Sequence, residues 1–213
     1  MTAEPPTSDR FLLWFGRFQR CHITATAMTP AALLLLYQLG FAVGPRRLVG
    51  VGTYQGLAMG ALTAGASDRH HGKDVSGVGV DVDGLATSLA RSNARKLGLA
   101  GRLSYVTEEG TVHLDRRVEP IDLFYLDLDD PLTGKAGYQL AFEHSRRLLT
   151  GRAVVVAHDA TSPRFTADLA ELRRHLLADG RFGLLLDVPI DAAGMLIAGS
   201  RRTDEISTGE GGS

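Results

Sequence analysis

Near its C-terminal end the chain carries two strand-like runs, Phe182 to Ile190 and Met195 to Gly199, joined only by Asp191-Ala192-Ala193-Gly194. A parallel crossover needs about a dozen residues, so a link this short forces an antiparallel hairpin. Upstream, Leu48 to Val51, Val78 to Val82, Leu103 to Val106, Ile121 to Leu126 and Ala153 to Val156 read as strands buried on both faces, hence parallel. The segments between them carry helical patterns. Leu85, Leu89, Ala90, Ala94 and Leu97 fall on one helix face, and Phe165, Leu169, Leu172 and Leu176 on another. Together these runs predict an α/β fold, a Rossmann-like doubly wound sheet of seven strands, mostly parallel, closing on an antiparallel C-terminal hairpin.

The bulk properties narrow the function classes. The 213 residues suit a single sizeable core, and a formal net charge of −1 gives no global electrostatic case for nucleic acid. The Arg pairs at 46–47, 116–117, 146–147, 173–174 and 201–202 are dispersed rather than clustered into a stripe. The apolar run from Ala31 to Val43 is interrupted by Gln38 and Gly40 and is too short to span a bilayer, so it reads as a buried helix. Cys21 is the only cysteine, which excludes an intramolecular disulfide and fits a reducing cytoplasm. The expected organisation is an N-terminal helical segment and cap over 1–45, the main domain over 46–202 and a disordered tail over 203–213. Phe11, Trp14, Phe15 and Phe18 recur at helical spacing, as a face packed on the domain, on a partner subunit or over a substrate.

In an open α/β sheet, ligands bind beyond the carboxyl ends of the strands, where strand order reverses. The loop Gly52-Thr53-Tyr54-Gln55-Gly56 follows the first strand and so belongs in that crevice. The second strand ends in Val80-Asp81-Val82-Asp83, placing Asp81 where a carboxylate accepts from ribose hydroxyls, while Asp83 could cap the next helix. A glycine loop followed by an acid also serves NAD-binding proteins, and a glycine turn alone can be purely structural. The terminal hairpin argues against an NAD-dependent oxidoreductase.

With these features in place, the sequence resembles the cation-dependent O-methyltransferases related to the catechol and caffeoyl-CoA enzymes, from about Met28 to Arg201. Gly50-Val51-Gly52-Thr53-Tyr54-Gln55-Gly56 is similar to the family's E-I-G-x-x-x-G-Y-S. Ala27-Met28-Thr29-Pro30 looks like the segment that covers the cofactor's methionine part. Glu109-Gly110-Thr111-Val112 looks like the E-G-x-A loop near the adenine, and Asp191 to Met195 resembles the P-x-G-D-G-L turn of the hairpin.

The resemblance implies S-adenosylmethionine as cofactor, held by Met28, Thr29, Gly52, Thr53, Tyr54, Gly56, Asp81, Glu109, Gly110, Val112 and Asp127. It also implies a small hydroxylated acceptor; a homodimer is expected, and the charge and the short apolar run point to no nucleic-acid or membrane partner. Where the family reads F-I-D-A-D-K-x-x-Y, this chain has Tyr125-Leu126-Asp127-Leu128-Asp129, then Asp130 to Gly134 as an insertion, then Lys135-Ala136-Gly137-Tyr138. Asp127 thereby takes the position of a ligand to magnesium or another divalent ion, and Lys135 that of the catalytic lysine. Asp159 matches a second metal ligand, with His158 as a possible nitrogen donor beside it.

Two departures stand out. Ala160 replaces a ligating Asn, and Gly50 replaces an acid near the cofactor. They leave open a metal-independent methyltransferase-fold enzyme and a catalytically degenerate partner subunit. Lys135 could equally be a surface lysine at a helix start, and Asp159 a helix cap.

Overall fold

The computed structural model describes residues 8–23 and 28–200. The expected tail over 203–213 and the start of the cofactor-covering segment at Ala27 lie outside the described residues. Two helices, α1 (Ser8–Phe18) and α2 (Pro30–Val43), precede β1 (Arg47–Val51). Strands and helices then alternate through α3 (Leu57–Arg69), β2 (Ser76–Asp81), α4 (Gly84–Lys96), β3 (Leu103–Thr107), α5 (Gly110–Arg116), β4 (Ile121–Leu126), α6 (Gly137–Ser145), β5 (Leu149–His158) and α7 (Thr166–Ala178). The hairpin β6 (Phe182–Val188) and β7 (Met195–Ser200) closes the chain.

The sheet has seven strands in the order β3-β2-β1-β4-β5-β7-β6. The first five strands are parallel, while β7 runs antiparallel to both β5 and β6, as the short link requires. Strand order reverses between β1 and β4, so the carboxyl ends of these two flank the crevice. Alternate side chains feed two apolar layers. Leu48, Leu123, Tyr125 and Val156 pack toward α2 and α3, whereas Val49, Phe124, Leu126 and Val155 pack toward α6 and α7.

Sequence and structure agree in most elements and differ instructively in α4. Of the expected face, Ala90, Ala94 and Leu97 are buried, but Leu85 is 71 % exposed and Leu89 half-buried, and Ala86, Thr87 and Asn93 complete the buried side. Asp83 caps the helix, accepting from the Leu85 and Ala86 N–H groups. Leu85 therefore sits in the first turn beside the crevice rather than over the core. On the other side, Phe11, Trp14 and Phe18 are buried against the domain itself, with Phe11 and Trp14 both packed on the Tyr37 ring. No described helix is long and apolar enough to cross a membrane.

One polar clasp ties α6, α7 and β6 together. The Asp179 side chain, 1 % exposed, accepts from Arg146 Nε at 2.7 Å and from the Arg181 guanidinium. The Arg181 hydrogen bond, partly opposed by burial and then reinforced by Arg146, lowers the Asp179 pKa from 3.8 to about 2. A depressed carboxylate stabilises the fold above its ordinary pKa and loses that contribution as pH falls toward the folded value. Asp179→Asn is therefore expected to cost about 1–2 kcal/mol at neutral pH. In urea melts repeated at falling pH, the gap from wild type should close between about pH 4 and pH 2.

Candidate functional site

The β1–α3 connection turns at once upon leaving the sheet. Gly52 adopts φ +75° and Tyr54 φ +46°, and the Gly52 N–H donates to the Val80 carbonyl at 2.9 Å. A Cβ on Gly52 would lie 2.5 Å from the Asp127 carbonyl oxygen and 2.6 Å from the Leu128 nitrogen. This position thus demands glycine twice over, for its backbone angle and for the approach of β4. The Tyr54 N–H donates to Asp81 Oδ2 at 2.7 Å, and the Asp83 N–H donates to Asp81 Oδ1 at 2.9 Å. Asp81 consequently fixes the glycine loop while its carboxylate faces the crevice.

Gly50 has a local explanation. A Cβ there would meet Met59 Sδ at 2.5 Å and Thr53 Cγ2 at 2.9 Å, so Met59 occupies the space a longer side chain would need. The loop is held by main-chain and Asp81 contacts without an acid at this position.

A cavity of about 590 Å³ opens over these carboxyl ends, within the roughly 300–1,000 Å³ usual for small-molecule sites. Met28, Gly52, Tyr54, Asp81, Gly110, Asp127, Lys135, His158 and Asp159 all border it. The other residues singled out from sequence do not line it. Thr53 is buried beneath the loop, and Gly56 caps α3 with its carbonyl accepting from the Tyr105 hydroxyl at 2.8 Å. Thr29 caps α2 and donates to Asp191 Oδ2 at 3.1 Å, linking the N-terminal segment to the hairpin turn. Glu109 caps α5 by accepting from the Val112 N–H at 2.9 Å, and Val112 is partly exposed. Sequence reasoning passed over Glu108, Leu128, Ser162, Arg164 and Phe165, which also line the cavity. Glu108 and Leu128 come just after strand ends, and Ser162, Arg164 and Phe165 belong to the segment between β5 and α7.

Part of the wall is a charged cluster. Lys135 is 1 % exposed, which excludes the surface-lysine reading. Its Nζ lies 2.9 Å from Asp127 Oδ1 and 2.8 Å from Asp159 Oδ2. The Tyr125 hydroxyl donates to Asp127 Oδ2 at 3.1 Å, and His158 Nδ1 lies 3.4 Å from the same oxygen. Burial alone would raise the Asp127 pKa, but the His158 hydrogen bond and charge, then Lys135, lower it overall. Burial works against charged Lys135 too, and the Asp127 charge followed by Asp159 outweighs it, so the ammonium form is held more firmly than usual. A lysine so placed stabilises negative charge and is a poor proton acceptor.

Asp159 reaches this cluster with φ +60°, an unfavourable angle for a residue with a Cβ. Strain of this kind persists where surrounding structure over-determines it, often at functional sites.

Asp127, His158 and Asp159 each offer an atom within 4.8 Å of the others, close enough in principle to share a metal ion. The rest of the arrangement does not fit one. The Lys135 ammonium already bridges the two carboxylates, and Ala160, with no ligating atom, packs against the apolar layer beneath. The residues do fit an adenosyl cofactor in the shared cavity, where Gly52 leaves the backbone bare and Asp81 presents a carboxylate.

No protein-family model matches the chain. Among curated proteins it is similar to a ribosomal protein L11 methyltransferase from Deinococcus radiodurans, at 36 % identity over 104 residues. That match takes in 45 % of this chain and 34 % of the relative, so the chain matches about a third of the relative's length. Among solved structures it is similar to an O-methyltransferase from Bacillus cereus in complex with SAH, with a TM-score of 0.70, 17 % identity and 92 % of each chain covered. The O-methyltransferase TomG from Streptomyces achromogenes, involved in tomaymycin synthesis and solved with SAM, gives 0.67 at 16 % identity, covering 92 % of this chain and 91 % of that one. Likeness at these identities establishes the architecture, and the chain has the fold of these methyltransferases.

Proposed function

We propose that this protein transfers a methyl group from S-adenosylmethionine (SAM) to a hydroxyl of a small acceptor, leaving S-adenosylhomocysteine (SAH). One observation carries the reading: a single cavity joins the Gly52 turn and the Asp81 carboxylate to the Asp127–Lys135–Asp159 cluster. The bound cofactor would supply an electrophilic methyl on a sulfonium. Asp81, already accepting two main-chain N–H bonds, has lone pairs left for ribose hydroxyls. Gly52 and Gly110 bring bare backbone to the cavity wall, and Met28 borders the same space.

The acceptor oxygen belongs at the cluster, where Lys135 stabilises the negative charge that develops as its proton leaves. That proton passes to the Asp159 carboxylate, which lines the cavity, and from there to water. The oxygen–carbon bond forms as the carbon–sulfur bond breaks, with the bonding pair remaining on sulfur. Most of the rate gain comes from holding the two reactants in line at roughly 3–3.5 Å. The likeness to TomG supports a specialised metabolite as acceptor.

Methyl-radiolabelled SAM incubated with a panel of phenols and other hydroxylated small molecules tests this reading. Label is expected in at least one acceptor, with SAH formed in equal amount. Label-free acceptors throughout, despite SAH binding, would favour a catalytically silent partner subunit.

A further inference from the structure

The positive charge that two converging carboxylates require is already part of this chain. Lys135 Nζ stands 2.9 Å from Asp127 Oδ1 and 2.8 Å from Asp159 Oδ2, one oxygen of each carboxylate. Its placement is built from several sides. The Asp130–Gly134 segment closes on itself, with Asp130 Oδ1 accepting from the Leu132 and Thr133 N–H groups and its main chain pairing with Gly134. The Lys135 N–H then donates to Asp168 Oδ2 at 2.9 Å. The Tyr138 and Phe165 rings flank the ammonium at 5.2 and 5.3 Å to their centroids, a cation–π setting that favours the charge. A divalent ion shared by the two carboxylates would sit against this ammonium, whose like charge opposes it and which has the aromatic rings beside it. The Ala160 side chain offers it no third oxygen, and the Ala160 carbonyl is turned to Arg173.

We propose that Lys135 is a built-in replacement for a divalent metal: its ammonium, seated between Asp127 and Asp159, orients the acceptor oxygen, and the site holds no metal ion. The insertion from Asp130 to Gly134 is the device that delivers it. Two of the three ammonium donors are committed to carboxylates, so one remains for substrate. The site therefore grips a single hydroxyl oxygen rather than chelating a vicinal pair. The catalytic part of this proposal rests on the methyl-transfer reading; the ion-binding part stands independently of it.

The test is a Mn²⁺ titration of EDTA-treated protein, with free ion read by electron paramagnetic resonance, alongside thermal melts with and without Mn²⁺. Wild type is expected to show no saturable binding up to about 1 mM and no rise in Tm. Lys135→Met removes the ammonium and keeps both carboxylates, and should bind Mn²⁺ at least about tenfold more tightly than wild type. Saturable wild-type binding that Asp159→Asn abolishes would overturn the proposal. So would a folded Lys135→Met variant that binds no better than wild type. Should that variant not fold, the wild-type titration and melts decide by themselves. SAH calorimetry on the same samples separates the two claims: absent SAH heat removes the methyl-transfer reading and leaves the Mn²⁺ result standing.

Discussion

Gly52→Ala should weaken SAH binding by more than about 100-fold and lower stability by about 3 kcal/mol or more. Any Cβ at this position lies 2.5 Å from the Asp127 carbonyl oxygen and 2.6 Å from the Asp127 carbonyl carbon and the Leu128 nitrogen. These are main-chain atoms of the adjacent strand end, and the Asp127 N–H is itself fixed to the Val51 carbonyl at 3.0 Å. Neither side can yield without parting β1 from β4. The φ of +75° adds a second cost that no repacking removes. Because Asp127 begins the charged cluster, the same displacement disturbs cofactor and acceptor halves together. Urea melts and SAH calorimetry on the purified variant would measure both effects. An unchanged affinity would mean that the cofactor does not touch this turn.

Asp81→Ala is expected to reduce SAH affinity by about 100-fold, equivalent to roughly 2.7 kcal/mol. Its carboxylate both shapes the loop, through the Tyr54 N–H, and presents acceptors to the cavity. Alanine removes both contributions. Asp81→Asn separates them in part, since one side chain oxygen still accepts while the new amide opposes an N–H or a hydroxyl donor. An intermediate loss is the expected result for Asn, read from the same titrations. Global stability should change far less than for Gly52→Ala, since the Asp81 side chain contacts are confined to the crevice.

The sheet was legible from sequence because its signals are local. Strand-length apolar runs and a link too short for a crossover leave one topology. From sequence the first hairpin strand runs to Ile190 with four linking residues, whereas β6 ends at Val188 and six residues link it to β7, still too few for a parallel crossover. Asp81 was legible for a similar reason, as an acid at a strand end next to a glycine loop. The charged cluster was less so. Lys135 lies eight positions beyond Asp127 in sequence, yet spacing could not say whether the intervening turn aims it inward. That depends on the Asp130 turn and on Asp168, a residue of α7 that sequence alone gave no reason to single out. Leu85 misled for a physical reason as well: periodicity identifies a helix face without saying how far toward its first turn the core extends. Thr29 and Glu109 match cofactor motifs, but in this fold their side chains cap helices at the margin of the cavity.

The most direct test of the account is calorimetric titration of SAH into the full chain, with and without EDTA, in wild type and Asp81→Ala. One site per chain is expected, undiminished by EDTA and weakened about 100-fold by the substitution. Absence of any binding heat, or binding indifferent to Asp81, would contradict it.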